Sequence, residues 1–121
     1  MSLEFLAKID VLYQHFQAHD QAYSDRLSRY RNIEPESAEL LNVLIRTQQS
    51  KRILEIGTST GYSTLWLAHA AESTSAKITT LEIDAERSEL AHQNAVDFSL
   101  DRFVEFLVSD KAKFITGQTY L

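Results

Sequence analysis

Cysteine is absent from this chain. That excludes a disulfide framework, a thiolate metal site and a thiol nucleophile. Glycine and proline are scarce, at 3 and 1 in 121 residues, and there is no low-complexity segment or internal repeat. No apolar run is long enough to span a bilayer. The net charge is −5 with no basic cluster, which argues against nucleic acid or an anionic membrane as a partner. Met1-Ser2-Leu3-Glu4 opens an amphipathic helix pattern with acids mixed in, which is not a signal peptide. What is present, 44% hydrophobic and 24% charged residues over the length of one domain, is the composition of a globular protein expected in the cytoplasm.

Two patterns divide the chain. Leu6, Ile9, Leu12, Tyr13 and Phe16 recur at helical spacing, and Tyr23, Leu27 and Tyr30 extend the pattern past a polar break at His19-Asp20-Gln21. Pro35 suits the first turn of a further helix, which presents Leu40, Leu41, Leu44 and Ile45 and ends near Ser50. Residues 1–50 therefore read as a helical region. From residue 51 onward strands and helices alternate. Strands are expected at 52–56, 77–83 and 102–108. Helices are expected from Gly61 to about Ala71 and from an Asp84 N-cap to about Phe98, with a polar loop at 72–76. Asp110 is placed to begin a last short helix and Gly117 to end it. Alternation of this kind predicts an α/β fold with a parallel sheet and right-handed crossovers.

The turn from Gly57 to Gly61 carries the chemistry. Tyr62 follows Gly61 where a phosphate-binding loop needs lysine. Ser59 stands where a dinucleotide fingerprint needs its middle glycine. Gly57-Thr58-Ser59-Thr60-Gly61 does match the G-x-S-x-G elbow of serine hydrolases, with Ser59 as nucleophile, but only His69 and His92 follow it. The fourth reading is an S-adenosylmethionine site. That cofactor has no phosphate, so three glycines are not needed; its cationic end favours acids and backbone amides, and its ribose diol needs a carboxylate. Glu82, at the end of the second strand, is the candidate for that carboxylate.

At these residues the chain resembles the class I S-adenosylmethionine-dependent O-methyltransferases, in particular the catechol and caffeoyl-CoA branch. LEIGTSTGYSTLWLA resembles its first motif, including Gly61-Tyr62-Ser63, and ITTLEID resembles the second-strand motif. FLVSDKAKFI resembles the third-strand segment, which usually closes in Gly-Asp-Ala, and RNIEPESAELLNVLI resembles the helix before the core. The resemblance runs from Asn32 to the end. It implies a Rossmann-like half-domain of about three parallel strands over residues 51–121, preceded by the helical region. It implies that Glu55, Gly57, Thr58 and Ser59 line the methionine end and that Ser63 hydrogen-bonds the cofactor carboxylate. It implies that Glu82 holds the ribose, Ile83 covers the adenine, and Asp110 approaches the adenine amino group.

In that family a fourth strand ends in an Asp-Ala-Asp-Lys-like motif, which supplies a divalent-metal ligand and a base near the acceptor hydroxyl. Here Thr119-Tyr120-Leu121 stands where that strand should start. The expectation is a cofactor-binding half without the metal ligands and acceptor half, acting on a small molecule if active. The alternative is a non-catalytic module that binds S-adenosylmethionine or self-associates. His15 and His19 have metal-compatible spacing but no evident third ligand, and Lys111 and Lys113 are candidate bases near the sheet edge. The family's strand order, 3-2-1-4-5-7-6, would leave the first strand of this chain at an edge. Self-association through that edge or the helices is therefore expected.

Overall fold

The computed structural model describes residues 2–23, 33–109 and 118–120, the last three as backbone. Helices α1 (Leu3–Gln21) and α2 (Pro35–Gln48) precede β1 (Arg52–Ile56), α3 (Tyr62–Thr74), β2 (Lys77–Glu82), α4 (Ala85–Asp97), β3 (Val104–Val108) and β4 (Gln118–Tyr120). A 3-10 turn, Asp101–Phe103, leads into β3. Strand order is β3-β2-β1-β4. The first three strands are parallel, so the α/β expectation holds. Ile53, Ile78 and Val104 align across them and are all buried. They share one hydrophobic cluster with Phe5, Ile9, Phe16, Ala38 and Ile45 of the N-terminal helices. The helical region therefore completes the core of the sheet.

Helix α3 is the centre of the packing. Nearly every position from Tyr62 to Ala71 is buried, because β2 and the other three helices all pack against it. A helix buried all round carries little amphipathic signature. Its last turn was expected as loop, since 72–76 is polar. The structure extends the helix to Thr74: Thr74 Oγ1 donates to Ser50 O at 3.0 Å, and Lys51 Nζ donates to Thr74 O at 2.5 Å. Partners remote in sequence stabilise that turn. Asp84 caps α4 as expected, its Oδ1 accepting from the N–H groups of Glu86 and Arg87.

One expectation needs correction. β1 is not an edge strand. Gln118–Tyr120 pairs with it antiparallel, Gln118 opposite Ile56 and Tyr120 opposite Leu54. Val108 and Gln118 lie at the same end of the sheet, so a chain running from one to the other enters antiparallel. A parallel fourth strand would first have to return to the opposite end by a longer crossover. The expected short helix from Asp110 to Gly117, and the apolar positions Leu27 and Tyr30, fall outside the described residues. No described helix is long and apolar enough to cross a membrane.

Gly61 joins the turn to α3 at φ 95°, and a Cβ there would lie 2.9 Å from Ala91 Cβ and 3.1 Å from Ala91 Cα. Gly61→Ala therefore strains the backbone and forces α4 outward, for a loss of about 2 kcal/mol. Urea unfolding should show a lower midpoint at unchanged slope. A midpoint equal to that of the parent would show that α4 is not tightly held there. His69 gives a second prediction. Its ring stacks on Phe5, with centroids 4.0 Å apart, and burial together with the Arg46 guanidinium lowers its pKa from 6.5 to about 4. The unfolded chain binds the proton more readily, so stability falls as pH drops from 6.5 towards about 4. His69→Gln should flatten that part of the stability–pH curve.

Candidate functional site

The turn after β1 is held to β2 at several points. Leu81 O accepts from Gly57 N at 2.8 Å and Thr58 N at 3.2 Å. Gly57 and Gly61 take positive φ at 96° and 95°, and Ser59 joins them at 52°. Left-handed geometry suits glycine; at Ser59 it is held by the surrounding contacts. Ser59 N donates to Glu82 Oε1 at 2.8 Å, and Asp84 N donates to Glu82 Oε2 at 2.9 Å. Glu82 is thus fixed at the tip of β2 with both oxygens anchored by backbone. The next residue, Ile83, is 45% exposed and presents an apolar surface beside it.

Glu55, one step before the end of β1, is 2% exposed. Its carboxylate is met by three hydroxyls. Ser63 Oγ donates to Oε2 at 2.6 Å, Thr80 Oγ1 donates to Oε1 at 2.9 Å, and Thr64 Oγ1 also donates to Oε1. With the Thr80 hydrogen given to Glu55, Thr58 is the donor in the 2.5 Å contact between Thr58 Oγ1 and Thr80 Oγ1. Among the described residues no ion pair includes Glu55. Burial raises its pKa, against the lowering effect of the hydroxyl bonds, and the Glu82 charge raises it further.

The structure therefore brings Glu55, Gly57, Thr58, Ser59, Ser63, Glu82 and Ile83 to one end of the sheet. Ser63 stands at the start of α3, where its hydroxyl donates to Glu55 and keeps lone pairs for a ligand donor. Asp110, Lys111 and Lys113 lie outside the described residues. Thr64 and Thr80 were not singled out from the sequence. Strand alternation was the available signal, because Thr80 and Glu82 share one face of β2.

The elbow reading gains nothing. His69 Nε2 accepts from Ser2 N at 3.4 Å under Phe5, and the His92 ring lies 5.3 Å from that of Phe106. Neither of these contacts involves Ser59. His19 Nδ1 sits 3.2 Å from Asp20 Oδ1. Among the described residues no group of three or more His, Cys, Asp or Glu is placed to hold a metal ion. These residues do not fit the divalent ion that the resemblance implies.

The O-methyltransferase family profile matches residues 13–118. A catechol O-methyltransferase of Niastella koreensis is 36% identical over 63 residues, which are 52% of this chain and 28% of that protein. Among solved structures, an O-methyltransferase from Streptomyces achromogenes involved in tomaymycin synthesis, in complex with SAM, superposes with a TM-score of 0.67 at 28% identity. That match covers 92% of this chain and 45% of the other. An O-methyltransferase from Bacillus cereus in complex with SAH gives 0.64 at 27% identity, covering 88% and 43%. The chain thus spans less than half the length of each of these relatives.

Glu55 also makes a stability prediction. Its folded pKa lies above the ordinary 4.5, so the native state holds the proton more tightly than the unfolded chain. Stability then falls as pH rises from 4.5 through the folded pKa. Glu55→Gln, neutral throughout, should lack that decline and gain on the parent as pH rises. Parallel curves for the two proteins in urea titrations would contradict it.

Proposed function

The chain belongs to the O-methyltransferase family, and on that premise we propose that it is the S-adenosylmethionine-binding half of a methyltransferase acting on a hydroxyl of a small molecule. The observation that carries this is the backbone-anchored Glu82 carboxylate beside the turn, with exposed Ile83 next to it. Each Glu82 oxygen keeps a lone pair beyond its backbone bond, so the carboxylate can accept both hydroxyls of a ribose. Ile83 offers the adenine a flat apolar contact. Glu55 and Glu82 line the turn with carboxyl groups and, among the described residues, no cation, which opposes a pyrophosphate and favours a ligand with sulfonium and ammonium charges. Glu55 and Ser63 are the acceptors proposed for the ammonium, and the backbone of Gly57, Thr58 and Ser59 lines the same end.

When bound, the cofactor supplies a methyl group activated on sulfur. The chain's own part is to bind and orient it. The acceptor, the methyl transfer and any metal belong to the proposal for the whole protein, since the relatives are more than twice as long as the matched part. A cytoplasmic setting is part of the same proposal. So is self-association. The exposed Leu40, Val43 and Leu44 on α2 support a helical contact better than the β1 edge, which β4 occupies. A non-catalytic binding module has no observation in its favour over the family reading.

Calorimetric titration of S-adenosylhomocysteine tests the cofactor site without requiring turnover. Saturable binding is expected, weakened at least about tenfold by Glu82→Ala, because the ribose hydroxyls lose a charged acceptor. A folded parent chain that shows no binding would overturn the proposal.

A further inference from the structure

Thr80 lies within the ITTLEID stretch, but the resemblance gives it no part in the cofactor site. It lies inside β2, fully buried, in register with Glu55 on β1. Its hydroxyl stands between two functional elements: it accepts from Thr58 of the turn at 2.5 Å and donates to Glu55 at 2.9 Å. A buried hydroxyl in mid-strand needs partners, but a single backbone carbonyl would satisfy it. Here both partners are side chains at the ligand end of the sheet. Resting on the cofactor reading above, we infer that Thr80 is a positioning residue: its hydroxyl aligns the Glu55 carboxylate and the Thr58 corner together, so that the ammonium of the cofactor meets an oriented acceptor.

The charges around Glu55 make this testable by more than affinity. From β2, Glu82 faces it and opposes its ionisation. From α3 come the hydroxyls of Ser63 and Thr64, and from the turn comes Thr58 through Thr80. No described cation pairs with it. Its charge when the site is empty therefore rests on three hydroxyl donors, one of them Thr80. An ammonium ligand binds the ionised carboxylate, so affinity should rise with pH as Glu55 loses its proton. Removing one donor of three makes ionisation harder and moves that rise to higher pH.

The experiment titrates S-adenosylhomocysteine into the parent chain, Thr80→Val and Thr80→Ser across a pH series, with the melting temperature of each. Thr80→Val should bind about tenfold more weakly, with the affinity–pH midpoint displaced upward, because it strands Thr58 and takes a donor from Glu55. Thr80→Ser should restore both. A merely structural role would lower the melting temperature of Thr80→Val and leave the pH midpoint in place, which would overturn the inference. So would parent-like affinity in Thr80→Val. If Thr80→Val does not fold, Thr58→Val cuts the same relay at its other end, and unchanged affinity there overturns the inference as well. Failure of the parent itself to bind would instead overturn the cofactor reading, and this inference with it.

Discussion

A carboxylate taken out of water with no cation beside it must be met by hydrogen bonds or take up a proton. At the end of β1 that requirement falls on Glu55, and the hydroxyls that meet it come from two other elements. Thr80 reaches it from β2, and Ser63 and Thr64 from the first turn of α3. Thr58 joins through Thr80. One buried group thereby joins the strand, its neighbour, the connecting turn and the helix that follows. Separate backbone bonds, from Gly57 N and Thr58 N to Leu81 O and from Ser59 N to Glu82 Oε1, place the turn against the end of β2. A site that binds by orientation benefits when its loop is anchored to rigid elements in this way.

The second constraint is the burial of α3. A helix enclosed by the sheet and three other helices needs neighbours that satisfy its polar backbone as well as fill space. Asn42 does this from within α2. It is fully buried, donates from Nδ2 to Trp66 O at 2.7 Å, and accepts from Arg46 Nε at 2.7 Å. Arg46 in turn donates to His69 O at 3.2 Å. The guanidinium that clamps α3 is also one reason His69 stays neutral. The scarcity of glycine shows in the helix ends. α2 and α3 close on Gln49 and Ser75 with positive φ, and Ser99 takes the same geometry just past α4, although glycine would adopt it with less strain.

Much of the site was legible in the chain because it is local. Gly57, Ser59, Gly61 and Ser63 lie within one strand–turn–helix unit, and Glu82 follows from the end of the next apolar strand. Asp84 was recognisable as a cap because capping is decided within three residues. The hydroxyl cage was not legible. It depends on the register that sets Glu55 opposite Thr80, and register is a property of two strands paired in space. The Ser63–Glu55 bond could not be read either, since a serine at a helix start looks the same whatever its side chain meets.

Periodicity, turn chemistry and helix capping in the sequence alone determined the helices α1 and α2 and the alternation of strands and helices from Arg52 to Val108. They also showed a turn at Gly57 without the lysine of a phosphate loop or the middle glycine of a dinucleotide fingerprint. Those features depend on neighbours a few residues apart, whose geometry the backbone imposes directly. Only the tertiary structure decided that α3 runs to Thr74, that β4 fills the edge of β1, and that three hydroxyls gather around Glu55 with a fourth behind Thr80. Each of those outcomes joins residues that are close only after the chain has folded, where burial removes water and leaves the partner across the interior as the group that can satisfy a polar atom.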